Sequence, residues 1–130
     1  MDDQVKHYED KLEFEIDASD LEAALQAGEP IIVVDARSPD AYARGHIPGA
    51  VNIPHRKMSP ETTAHLDKKA LVVAYCDGAG CNASTKGALA MVRLGFRVKE
   101  LVGGLEWWQR EGHAVHTRLA PELVVTCGCA

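Results

Sequence analysis

Two short apolar runs limit the fold most. Ile31-Ile32-Val33-Val34 is continuous and wholly β-branched, and Leu71-Val72-Val73-Ala74-Tyr75 is nearly as apolar. Neither alternates with polar residues, as a strand with one wet face would. Runs this short fit strands covered on both faces, the pattern of a parallel sheet. Helix signals surround them. Leu21, Ala24, Leu25 and Ala27 share a helical face that Gly28 ends, with Asp17 or Ser19 placed to cap the first free N–H groups. Ser38-Pro39 offers a cap and then proline at the first helical position, predicting a short helix to Gly45. Ser59-Pro60 repeats the signal and predicts a helix over 59–66. Thr85 to Leu94 predicts another, capped by Asn82 or Ser84 and stopped by Gly95. Residues 50–53 and 97–101 predict further strands, and 103–112 a last short helix between glycines. The charged segment 2–13 predicts a surface helix. Strands alternating with helices argue for an α/β fold with a mostly parallel sheet.

A chain of 130 residues, 46% of them hydrophobic, suits one compact domain. No stretch approaches ~18 consecutive apolar residues, so no membrane-spanning helix and no membrane partner is expected. The first fifteen residues are acidic and polar, unlike a signal peptide, and point to a cytoplasmic address. The net charge is -5 and no basic stripe is visible, which argues against nucleic acid as a partner. Four cysteines, Cys76, Cys81, Cys127 and Cys129, stand in this chain. In a reducing compartment such thiols are more often free, metal-bound or catalytic than structural disulfides.

Cys76 is the candidate nucleophile. It leaves the second apolar run and enters a loop of small residues, Asp77, Gly78, Ala79, Gly80, Cys81 and Asn82, that runs into a helix N-terminus. A loop at the C-terminal end of a parallel strand is the usual place for an α/β site. Free N–H groups and the positive end of the helix dipole favour an anion there, and the glycines let the backbone curl into an anion nest. A thiolate is such an anion. An ordinary thiol, with pKa about 8.5, needs that help near neutral pH. Asp77 opposes it unless its carboxylate points to solvent, as we expect. The alternative is an inert cysteine beside a tight turn.

Three segments then act together: residues 33–54, VVDARSPDAYARGHIPGAVNIP; the Cys76 loop; and residues 94–108, LGFRVKELVGGLEWW. In order and spacing they resemble the rhodanese family of sulfurtransferases over about residues 14 to 113. The resemblance implies a rhodanese-like α/β fold: a central, mostly parallel five-stranded sheet flanked by helices on both faces. The domain would occupy 14–116, with 1–13 as an N-terminal surface extension and 117–130 as a tail containing Cys-Gly-Cys. It also implies that Cys76 takes the outer sulfur of a donor, thiosulfate or a small-molecule or protein persulfide, and passes it to a thiol or cyanide acceptor. No cofactor and no metal is implied. The chain departs from the family in two ways. Active members commonly carry arginines in the loop, where Asp77 and Cys81 stand here, so a less charged donor is expected. The stretch from Cys76 to Gly95 is also about two residues longer. Related phosphatases and arsenate reductases need an arginine where Asn82 stands.

Other residues divide between chemistry and structure. Cys81 is either a thiol that resolves the Cys76 persulfide or a small residue filling the loop. The resemblance places Asp35 and Arg37 near the rim, with Arg37 in an ion pair. His46 reads as a hydrogen-bonded turn histidine rather than a base. Trp107 and Trp108 read as packing residues, and Lys86 as the nearest cation to the loop. Cys127 and Cys129 could relay sulfur, join a zinc site, or be incidental thiols in a frayed tail. Besides a sulfurtransferase, the sequence admits a non-catalytic binding or redox-sensing module using Cys76 and Cys81, and less readily an oxyanion reductase of the arsenate type.

Overall fold

The computed structural model describes residues 1–117 and the strand 124–125. Five parallel strands form the central sheet: β1 (Glu15–Ile16), β2 (Ile31–Asp35), β3 (Val51–Asn52), β4 (Leu71–Tyr75) and β5 (Arg97–Leu101), in spatial order β1-β5-β4-β2-β3. β4 lies between β2 and β5, pairing Val33 with Val73 on one side and Val73 with Lys99 on the other. The apolar runs therefore occupy the centre, where both faces are covered. Side chains alternate across the sheet. Val33 and Val73 enter one core with Leu21, Leu105 and Trp108, while Val34 and Val72 enter a second with Met91 and Phe96.

Among the described residues, five α-helices surround the sheet: α1 (Asp2–Phe14), α2 (Ala18–Gln26), α3 (Pro39–Arg44), α4 (Ala83–Arg93) and α5 (Gly104–Arg110). The first core takes side chains from α2 and α5, and the second from α4. Asp17, not Ser19, caps α2 by accepting from the Asp20 N–H at 2.8 Å. Ser38 caps α3 as expected. α1 buries no residue. An antiparallel pair, β6 (Val115–His116) with β7 (Val124–Val125), completes the described chain. Among the described residues, no helix is long and apolar enough to cross a membrane.

Two expectations are corrected. Residues 59–66 form turns rather than a helix. Thr62 Oγ bonds the Lys57 carbonyl at 2.8 Å and Thr63 Oγ bonds that of Ser59 at 2.8 Å. Such hydroxyls offer the backbone a rival to helical bonding. α4 begins at Ala83, not Thr85, and of the two proposed caps Asn82, not Ser84, is the N-cap residue. Asn82 holds the cap position without a side-chain bond, and Ser84 instead donates to Glu100 at 2.7 Å.

Candidate active site

β4 delivers Cys76 to the C-terminal edge of the sheet, where its side chain is buried at 1% exposure. Cys76 is joined to Cys81 by a disulfide, with the Cα atoms 6.3 Å apart. A turn within the loop makes this possible, the Cys81 N–H donating to the Gly78 carbonyl at 3.1 Å. On the outer side, the carbonyls of Cys76 and Asp77 accept from the N–H groups of Leu105 and Glu106 at 2.9 and 2.7 Å. The first turn of α5 thus spends its free donors on the loop backbone. Gly104 permits that approach. It sits at φ +58°, and a Cβ there would lie 2.5 Å from the Cys76 carbonyl oxygen. Neither Gly78 nor Gly80 lies in the left-handed φ region. With the disulfide closed, the loop does not adopt the alternating left-handed curl expected of an anion nest.

Arg37 holds the loop from the other side. Its Nε and Nη2 donate to the two Asp35 carboxylate oxygens at 3.0 and 2.7 Å, and its backbone N–H donates to Asp35 Oδ1 at 2.9 Å. Nη2 also reaches the Gly45 carbonyl, and Nη1 the Asp77 carboxylate at 2.9 Å. Asp35 is fully buried and takes a further bond from the Tyr75 hydroxyl at 2.7 Å. Burial alone would lower the Arg37 pKa, but the bonds and charge of Asp35, reinforced by Asp77, raise it above its ordinary value. Burial, then the Asp35 charge, pushes the Tyr75 phenol up. Asp77 is 70% exposed, as expected, but its carboxylate is tied to Arg37 rather than free in solvent.

A cavity of about 470 Å³ opens beside Cys76. Cys81 and Arg37 line it, and so do four residues from outside the loop: Arg44, His55, Arg56 and Lys57. Among the described residues, the side chains of Arg44, Arg56 and Lys57 make no ion pair. Of these three, His55 registers the charge of Arg56. Burial lowers its pKa first, and the charges of Arg56 and Lys86 lower it further. On the far side of the loop a second cavity, about 360 Å³, is lined by Cys81 but not Cys76, and carries Glu15 and Glu100. Cys81 therefore stands between a basic cavity and an acidic one.

The predicted residues separate clearly. Cys76, Asp77, Cys81, Asp35 and Arg37 converge. Lys86 does not line the basic cavity, and Arg44, Arg56 and Lys57 take the place assigned to it. His46 also lies off the cavity. Its Nδ1 is 2.8 Å from the Tyr42 carbonyl, its ring stacks on Tyr42, and its backbone pairs with His116. Burial lowers its pKa, against the pull of the Tyr42 carbonyl and Asp35. Trp108 is buried, while Trp107 is half exposed. The Cys76 and Cys81 sulfurs and an Asp77 oxygen lie within 4.8 Å of one another, but the sulfurs are spent on each other rather than offered to a metal. Cys127 and Cys129 lie outside the described residues. The only sequence signal for the missed cations was the His-Arg-Lys triplet after Pro54, which no local pattern connects to Cys76.

Comparison with known proteins adds independent findings. The family model described as rhodanese-like domain matches residues 17–111. The thiosulfate sulfurtransferase GlpE of Pseudomonas entomophila is 40% identical over 88 residues, covering 66% of this chain and 76% of that protein. The HTH-type transcriptional regulator Rv0324 of Mycobacterium tuberculosis is 37% identical over 87 residues, which cover 67% of this chain but 38% of the regulator. Among crystal structures, the BH2092 protein of Bacillus halodurans matches with a TM-score of 0.86 and 42% identity, covering 94% of this chain and 90% of that one.

Proposed function

Because the chain belongs to the rhodanese-like domain family, we propose that residues 14–116 form a sulfurtransferase in which Cys76 carries the sulfur. The Cys76 thiolate attacks the outer sulfur of a donor. With thiosulfate, the sulfur–sulfur bond breaks, sulfite leaves with the bonding electrons, and Cys76 becomes a persulfide. A thiol or cyanide then attacks the outer sulfur and restores the Cys76 thiolate, a covalent two-step transfer. The opening of Cys76 into a cavity lined by Arg44, Arg56 and Lys57 carries this reading. Cations beside a thiol favour its ionised form and attract an anionic donor. They supply from outside the loop the charge that Asp77 and Cys81 do not supply within it. Thiosulfate therefore stands beside thiol persulfides as a donor. The chemistry suits a reducing cytoplasm, where the disulfide opens.

The test is a pair of half-reactions on the reduced chain. Thiosulfate releases sulfite, and excess cyanide then yields thiocyanate. Cys76→Ser does neither. Sulfite release that survives this substitution removes the mechanism. The disulfide supports a second reading, a redox-sensing module without turnover. That reading requires a folded, reduced chain that releases no sulfite from thiosulfate and accepts no sulfur from glutathione persulfide.

A further inference from the structure

The structure pairs the proposed sulfur-carrying atom with one specific thiol. Resting on the sulfurtransferase reading, we propose that Cys81 resolves the Cys76 persulfide within the chain, so that the protein reduces the transferred sulfur to hydrogen sulfide. The Cys81 thiolate attacks the inner sulfur, Sγ of Cys76. A bond forms between the two cysteine sulfurs and the persulfide bond breaks. The outer sulfur leaves with the bonding electron pair and takes the proton that the Cys81 thiol gave up, so it departs as hydrosulfide, which becomes hydrogen sulfide at lower pH. The product is the Cys76–Cys81 disulfide seen here. The sulfur has gained two electrons and the two cysteines have lost them. Turnover then requires a dithiol reductant, or two monothiols, from solution.

Three observations carry the inference. First, the loop brings the two sulfurs to bonding contact while β4 and the first turn of α5 hold Cys76 at both ends of its peptide unit. A tethered thiol at that site acts at a high effective concentration compared with an acceptor that must diffuse in. Second, exposure is unequal. Cys76 is buried and lines only the basic cavity, whereas Cys81 is partly exposed and lines both cavities. A reductant therefore meets the Cys81 sulfur first. Attack there expels Cys76 as the leaving thiolate, and which sulfur is attacked decides the product. The nucleophile is thereby regenerated inside its site, while the mixed disulfide stays on the accessible residue for a second thiol to clear. Third, the cavity that carries Glu100, and Glu15 paired to Lys11 at 3.1 Å, is lined by Cys81 and not by Cys76, apart from the basic cavity that Cys76 faces. Anionic donor and expelled hydrosulfide are both favoured on the basic side, and a neutral or cationic reductant has its own approach to Cys81.

The experiment is a single turnover of the reduced chain with thiosulfate, after removal of reductant and without cyanide, read by sulfite, sulfide and intact mass. The wild-type chain is expected to release sulfite and sulfide in equal amounts and to finish lighter by two hydrogens. Cys81→Ser is expected to release no sulfide and to hold a gain of a single sulfur atom, which cyanide removes. Cys81→Ala should behave alike, which separates loss of the thiol from any effect of serine. A wild-type chain that keeps the added sulfur and releases no sulfide overturns the inference and leaves the transferase reading standing. Equal sulfide release from wild type and Cys81→Ser also overturns it. Absence of sulfite from every variant, each folded by its thermal transition, removes the transferase reading and this inference together.

Discussion

Asp35→Ala tests the buried network beneath the Cys76 loop. Asp35 is fully buried and its carboxylate accepts four bonds: three from Arg37 at 2.7 to 3.0 Å and one from the Tyr75 hydroxyl at 2.7 Å. Removing one partner of a buried ion pair costs about 3–5 kcal/mol, because the other charge stays buried. The Tyr75 hydroxyl loses its acceptor, which adds about 1–3 kcal/mol for an unsatisfied donor. Two features soften the loss. Arg37 keeps the Gly45 carbonyl and Asp77, and the Tyr75 oxygen still accepts from the Ile47 N–H at 3.1 Å. Asp77 is mostly exposed, so its pairing is screened and replaces little. The expected net loss is about 4 kcal/mol, a large share of the roughly 5–15 kcal/mol that holds a domain together. Urea unfolding followed by the fluorescence of buried Trp108 measures it. The double variant Asp35→Ala/Arg37→Ala should be less destabilised than the sum of the singles by ~2 kcal/mol, since neither charge is then stranded. A single-variant loss below ~1 kcal/mol, or strict additivity, would refute the assignment of this pair as the loop's foundation.

Other consequences are as specific. Gly104→Ala forces a side chain onto φ +58° and against the Cys76 carbonyl. Strain of roughly 1–2 kcal/mol is expected, with slower sulfite release because the loop must shift, and unchanged stability and rate would contradict the packing. Arg56→Ala and Lys57→Ala should raise the KM for thiosulfate with little change in kcat, each by up to about fivefold, the upper worth of ~1 kcal/mol for an exposed charge. Added salt should shrink that difference, and an unchanged KM at low ionic strength would exclude these cations from donor binding. Because burial lowers the folded pKa of His46, its contribution to stability is complete above about pH 6.5. It falls as pH drops from there towards the folded value, since the unfolded chain binds the proton first. Denaturation midpoints across that range should slope downward in acid. His46→Gln should flatten the slope in part, with His55 supplying a remainder of the same sign.

What the sequence by itself determined was local or strongly patterned. Two short continuous apolar runs fit strands covered on both faces, and they occupy adjacent central positions as β2 and β4. Asp17 and Ser38 acted as caps because capping acts over two or three residues. The position of Cys76 at the end of a central strand was legible because a thiol at a strand exit before a small-residue loop is a local pattern. The helix expected at 59–66 shows where such signals stop. Its Ser-Pro start matched that of α3, but neighbouring hydroxyls took the backbone instead. Strand β1, at Glu15–Ile16, is two residues long and exists by pairing with β5, so no period within it could announce it.

Only the tertiary structure decided the chemistry around the thiol. Arg37 and Asp77 are forty residues apart and meet because β2 and β4 end side by side. Arg44, Arg56 and Lys57 turn a loop without a cation into the wall of a basic cavity. Gly104 became decisive because α5 docks its first turn on the Cys76 carbonyl, and nothing near Gly104 in sequence announces that neighbour. The pairing of Cys76 with Cys81, left open by composition, depends on a loop trajectory fixed at both ends by β4 and α4. Electrostatics and hydrogen bonding depend on distance in space. A linear pattern reports distance along the chain, and the two coincide only inside helices, strands and turns.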